Sequence, residues 1–167
     1  MLSKLNKKSS NCIILKEQMN WNVYLSGEIH TNWRDDIFKE TKELSLEINF
    51  LGPVTNHGSS DDCGAIILGQ EELKFWHDHK GAKLNAIRTR KAIQNSDIVV
   101  VKFGEKYRQW NAAFDAGYAS ALGKSLITIH SKEHQHALKE IDAAALAVVE
   151  DEKKVVEIFR YVMEGKL

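Results

Sequence analysis

Asn111 and Asp115 stand four residues apart in the segment Asn95 to His130, NSDIVVVKFGEKYRQWNAAFDAGYASALGKSLITIH, which reads as strand, loop, helix, turn, strand. That spacing puts both side chains on one helical face. An acid in the first turns of a helix that follows a parallel strand stands at the crevice beyond the carboxyl ends of the strands, where ligands of open α/β sheets bind. There a carboxylate can attack an electrophilic carbon or move a proton. An acid near a helix start also complements the helix dipole, and spacing alone leaves both roles open for Asp115.

A second set lies at the exit of the first strand, Tyr24-Leu25-Ser26-Gly27-Glu28-Ile29-His30. Gly27 allows close backbone approach where the strand turns into the crevice. Glu28 and His30 follow directly and either reach the crevice or cap and solvate a loop. The pattern is neither G-x-G-x-x-G nor a P-loop, so an ordinary dinucleotide or triphosphate site is not indicated. A third set, Asn85, Arg88 and Arg90, precedes the third strand. An arginine there can pair with a phosphate or carboxylate, or belong to a solvated basic face. Trp110, Tyr107 and Trp33 are candidates to stack on a planar base, or simply to pack. Asp97 reads as a cap at the opposite end of the sheet. His57, Asp61 and Asp62 lie in a polar loop without metal-ligand spacing, and no metal is expected. His134, His136, Lys139 and Glu140 read as surface, or as a rim of the site.

These residues need elements to position them. Trp21–Ser26, Ile48–Leu51, Ile98–Phe103, Ser125–His130 and Leu146–Val149 read as strands. The third is apolar on nearly every residue, as suits a parallel strand covered on both faces. Asn32–Leu46, Ala82–Asn95, Asn111–Leu122 and Asp151–Gly165 carry helical apolar spacing, and His134–Ile141 reads as a turn or short helix. Leu84, Ile87, Ala92 and Ile93 are expected to share the inner face of their helix. Ala113, Gly117 and Ala121 form a small-residue stripe expected to pack on the sheet. Gly123 is the expected C′ residue. Val54–Gly64 is loop chemistry throughout, and Ala65–His79 reads as a loosely helical lid. Strands alternating with helices predict an α/β domain, a doubly wound, flavodoxin-like sheet of five parallel strands in the order 2-1-3-4-5 with helices on both faces.

At 167 residues the chain suits one domain with a sizeable core. Residues 1–19 read as a disordered extension before a single domain over 20–167. Lys+Arg and Asp+Glu balance at 23 each, giving zero formal net charge, which argues against a nucleic-acid partner held by bulk charge. No apolar run is long enough to cross a membrane. Cys12 and Cys63 show no metal-ligand spacing and read as reduced thiols of a cytoplasmic protein.

The frame YLSG…NSDIVVVKFG…FDAGYASALGKSLITI resembles the nucleoside 2-deoxyribosyltransferase superfamily, with its Y-x-[AS]-G strand, its [AN]-D-x-V-V strand and its D-x-G-T-x-x-E-x-G-x-A-x-x-x-G-K helix. GEIH-x-NWR, the GPxxNH loop, N-x-x-R-T, FGEKY-x-QWN and H-x-LKE resemble the YtoQ family within it, over about Trp21 to Val162. The resemblance implies that Tyr24 and Gly27 belong to the first-strand motif, and that Gly117, Ala119, Gly123 and Lys124 close the helix motif. The superfamily's nucleophilic glutamate falls on Asp115, an acid one methylene, about 1.5 Å, shorter. Its D-x-G-T falls on Gln109-Trp110-Asn111-Ala112, where Gln109 or Asn111 can hydrogen-bond a sugar or base.

The chemistry implied is double displacement at an anomeric carbon, by transfer to a second base or by hydrolysis. Asp115 is the expected nucleophile, Glu28 or His30 the proton handler. Tyr24, Gly27, Asn85, Arg88, Gln109, Trp110 and Asn111 are expected to line a nucleoside or nucleotide, with no cofactor and with a second copy of the chain as a partner in a dimer. The competing expectations are a non-catalytic nucleotide-binding module on the same crevice, and a structural role in which Asp115 and Glu28 are only caps.

Overall fold

The computed structural model describes residues 20–106 and 109–167; the extension with Cys12, and Tyr107, lie outside the described residues. Strands β1 (Trp21–Gly27), β2 (Ile48–Leu51), β3 (Ile98–Lys102), β4 (Ser125–Ile129) and β5 (Ala147–Val149) form one all-parallel sheet in the order β2-β1-β3-β4-β5, as expected. The connecting helices are α1 (Trp33–Glu43), α2 (His57–Asp61), α3 (Cys63–Leu68), α4 (Lys74–Asn95), α5 (Trp110–Ala121), α6 (Gln135–Ala144) and α7 (Glu152–Glu164).

Alternation along the strands divides the core in two. Val23, Leu25, Val100 and Ile129 face α1 and α7, where Trp33, Ile37, Val155 and Phe159 close the layer. Tyr24, Val99, Val101 and Leu126 face the other way, onto Ile93 of α4 and Ala112, Ala116 and Ala119 of α5. Ends are set by local chemistry. Asp151 caps α7 by accepting from the Lys154 N–H at 3.0 Å, and Gly123 follows α5 with φ of +68°, as its C′ position requires.

The structure corrects four expectations. The alanines that let α5 approach the sheet are Ala112, Ala116 and Ala119; Gly117 and Ala121 of the expected stripe are exposed, and Ala113 is half-buried. The sheet-facing side is displaced about 100° around the helix, one residue's turn. The loop Val54–Gly64 contains α2, whose first turn is capped by the Asn56 carboxamide accepting from the Ser59 N–H at 2.9 Å. Helix α4 begins at Lys74 rather than Ala82 and runs through Gly81, a residue that reads as a breaker. The cause is tertiary. A Cβ on Gly64 would fall 2.3 Å from the Gly81 nitrogen, and one on Gly81 would fall 2.7 Å from the Asp61 carbonyl oxygen. The two glycines let α3 lie directly against α4. Further along α4, Ile93 is buried, but Ile87, expected beside it, faces solvent.

Candidate active site

The sheet order reverses between β1 and β3, and a crevice opens at the carboxyl end of that pair. Its floor is built by β1. Tyr24 and Ser26 are two residues apart, so both point to the α4–α5 side. Gly27 then turns the chain at φ +102°; a Cβ there would lie 2.0 Å from the Lys102 carbonyl oxygen, so no larger residue fits. The Glu28 N–H donates to that same carbonyl at 3.0 Å. Arg34 of α1 holds the turn from behind, donating to the carbonyls of Leu25 at 3.1 Å, Glu28 at 2.6 Å and Gly27 at 3.3 Å. The Trp33 indole N–H adds a bond to the Glu28 carbonyl at 2.7 Å.

Glu28 is buried, and its carboxylate closes the loop into α1. It accepts from the His30 N–H, from the Thr31 hydroxyl and, at 3.0 Å, from the Thr31 N–H. Burial pushes its carboxyl up, but these three hydrogen bonds outweigh burial and hold it below the usual range. The Glu28 stem needs the bare backbone of Gly104, where a Cβ would fall 2.4 Å from Glu28 Cγ. His30 is exposed on the groove wall.

Helix α5 supplies the wall that carries the acid. Asp115 is half-buried, and the Ser26 hydroxyl donates to its Oδ2 at 2.5 Å. Burial raises the Asp115 carboxyl above its usual value, with the Ser26 bond acting against it. Tyr24 lies fully buried beneath; burial pushes its phenol up to about 12, with the Thr89 side chain opposing. Before α5, the Gln109 carboxamide oxygen accepts from the Gly104 N–H at 2.7 Å, leaving its buried Nε2 without a protein partner among the described residues. Trp110 and Asn111 stand exposed at the rim.

Helix α4 forms the facing wall. Asn85 donates to the Ser60 carbonyl at 2.9 Å and to its hydroxyl at 3.2 Å, tying α4 to α2. Arg88 and Arg90 flank Thr89, and all three line the groove. The groove's volume is about 810 Å³, within the range of about 300–1,000 Å³ of small-molecule sites. A half-buried carboxylate fixed by one hydroxyl and lining such a groove can attack a carbon bound in it.

Asp115, Glu28, His30, Tyr24, Gly27, Asn85, Arg88, Gln109, Trp110 and Asn111 thus line one groove, and Asp61 joins them. Other candidates lie elsewhere. Trp33 is buried on the opposite face of the sheet, and Asp97 accepts from the Asn22 N–H at 2.8 Å at the sheet's other end. Asp62 pairs with His77 at 3.2 Å, and His134 with Glu105 at 3.6 Å. No three metal-ligating side chains come together among the described residues. The sequence reading passed over Ser26 and Arg34. Ser26 was marked by its position two residues after Tyr24; the carbonyl contacts of Arg34 leave no pattern in a sequence.

A family profile described as nucleoside 2-deoxyribosyltransferase YtoQ matches residues 24–163. The chain belongs to this family. The uncharacterized protein YtoQ of Bacillus subtilis (strain 168) is 42% identical over 146 residues, a match spanning 87% of this chain and 99% of the relative. Two solved structures share the fold. A conserved protein from Enterococcus faecalis V583 superposes with a TM-score of 0.60 at 14% identity, over 86% of this chain and 99% of that one. A 2-deoxyribosyltransferase from the psychrotolerant bacterium Bacillus psychrosaccharolyticus gives a TM-score of 0.50 at 18% identity, over 81% of this chain and 90% of its own. The family's matched segment begins at Tyr24 and takes in every groove residue named above.

Proposed function

We propose that this protein makes or breaks the N-glycosidic bond of a nucleoside or nucleotide, with Asp115 as nucleophile. The observation that carries the reading is the Asp115 carboxylate itself, held by Ser26 at the switch point of the sheet in a groove with room for a nucleoside. In the first step an Asp115 oxygen bonds to the anomeric carbon as the carbon–nitrogen bond breaks, and the base leaves with that electron pair. In the second, water or another base attacks the same carbon and releases the carboxylate. Partial burial supports this role, because a carboxylate stripped of part of its hydration is a stronger nucleophile toward a bound carbon. His30, exposed on the groove, supplies or takes the proton of the base. Glu28, with both oxygens engaged, holds the His30–Thr31 loop in place.

The test is chromatographic detection of free base from a panel of ribo- and deoxyribonucleosides and their 5′-monophosphates, with and without a second base. Wild type releases or exchanges base, and Asp115→Asn loses about a thousandfold or more in turnover. Release that survives Asp115→Asn removes the nucleophile assignment. Binding without release, tolerant of Asp115→Asn, makes the groove a nucleotide-binding module.

The active unit is a homodimer. In its support, Ile66, Ile67, Leu68, Leu73, Phe75 and Trp76 stand exposed along α3, its link to α4 and the start of α4, and exposed apolar surface of this kind marks contact sites. A cytoplasmic setting accords with the free Cys63 thiol. Among the described residues no helix is long and apolar enough to cross a membrane.

A further inference from the structure

The two walls of the groove carry opposite chemistry. Asp115 stands on α5, while Lys74, Arg88 and Arg90 all come from α4. Some lysines elsewhere pair with acids, Lys80 with Glu71, Lys102 with Glu152, Lys132 with Glu150 and Lys154 with Glu157. Arg88 and Arg90 enter no ion pair among the described residues. Their own helix offers none, since the positions three and four residues from Arg88 are Leu84, Asn85, Lys91 and Ala92, and those from Arg90 are Ala86, Ile87, Ile93 and Gln94. Lys74 has Asp78 one turn away on the same wall, which sets it apart from the two arginines. Of the two, Arg88 is the one whose charge reaches the Tyr24 phenol, which also feels Asp115. Arg88 and Asp115 line the same groove from its two helical walls, with Tyr24 and Ser26 in its floor. Of the groove's other carboxylates, Glu28 has both oxygens occupied by loop donors, Asp78 stands one turn from Lys74, and Asp61 belongs to α2.

We infer that the substrate of this groove carries a phosphomonoester on its sugar, a nucleoside 5′-monophosphate rather than a free nucleoside, and that Arg88 binds the phosphate. This rests on the reading of the groove as a glycosyl site. A neutral nucleoside offers a guanidinium no charged acceptor, whereas a phosphate accepts two parallel N–H bonds with full charge. A 5′-monophosphate also has the layout the walls demand, with its anion on one side of the ring and its reacting carbon on another.

The experiment measures calorimetric affinity and base release side by side. Its ligands are matched nucleosides and 5′-monophosphates, and its proteins are wild type, Arg88→Met and Arg88→Lys. Arg88 is exposed, so neither substitution disturbs the core. Wild type binds the monophosphate about tenfold to a hundredfold more tightly than the nucleoside. Arg88→Met erases that preference, and Arg88→Lys restores part of it. Equal affinities in wild type, or a preference that survives Arg88→Met, overturn the phosphate inference, and base release in the same experiment then upholds the glycosyl reading on its own. An Arg88-dependent preference without base release upholds phosphate binding and overturns the glycosyl chemistry. Binding of neither ligand overturns both.

Discussion

The two faces of the sheet are packed with different residues to different ends. On the α1–α7 face the gaps are filled by Trp33, Ile37, Val155 and Phe159, with Phe50 tilted against Phe38 at 4.8 Å and Phe159 at 6.4 Å. On the α4–α5 face, contact with the sheet comes from Ala112, Ala116 and Ala119, and above them the helices part to form the groove. Large side chains bury apolar area and stabilise; small ones bring the α5 backbone close and leave its acid at the edge of a cavity. One face therefore holds the domain together, and the other gives up packing for a binding volume. The turn at Gly27 joins them, with Arg34 and Trp33 reaching under it from the closed face to set the exit of the open one.

Substitutions can break this division. The largest loss is expected from Phe159→Ala, a fully buried ring on the closed face, at about 3–5 kcal/mol in urea unfolding. If it instead costs no more than an alanine change on α5, the closed face is not the stabilising one. A subtler effect sets Glu28 against Asp115 as pH changes. The Glu28 carboxyl is lower in the folded state than its ordinary value of 4.5, so its stabilisation is present at neutral pH and is lost as pH falls below that value. The Asp115 carboxyl is higher than its ordinary 3.8, so its protonated form is favoured by folding and that contribution is lost as pH rises through and above that value. Thermal melts between pH 3 and 7 should therefore show Glu28→Gln less stable than wild type at neutral pH, with the gap closing in acid. Asp115→Asn should be as stable as wild type or more so at pH 7. The smallest effect on folding is expected from Trp76→Ser on the outer surface of α4. Monomer stability should move by no more than about 0.5 kcal/mol, while sedimentation should show loss of the proposed dimer. A dimer that survives removes α3–α4 as the interface.

The strand order and the position of Asp115 were legible because they rest on local patterns: an apolar run between turn residues, a glycine at a helix end, an acid at i+4 from Asn111. Tyr24, Gly27, Glu28 and His30 were legible for a similar reason, since a strand exit in an open α/β sheet has a known relation to the crevice. What stayed hidden depends on contacts between distant segments. Gly81 reads as a helix breaker until Gly64 is seen against it. The expected α5 stripe, Ala113, Gly117 and Ala121, lies one residue's turn from Ala112, Ala116 and Ala119 because small residues at helical spacing occupy both sets. Arg34 reads as surface charge on an amphipathic helix, yet its guanidinium binds three carbonyls around β1.

The seating of α3 on α4 through Gly64 and Gly81, with Asn85 clamped to Ser60, has a consequence for binding energetics. The 45-residue connection from Pro53 to Asp97 does not need to condense around a ligand, because backbone contact already fastens its two arms together. The far wall is preorganised, and a ligand entering it forfeits little chain entropy. Affinity at this groove should then vary with the ligand's own complementarity, and an added Cβ at either glycine should weaken every ligand alike by loosening the wall they share.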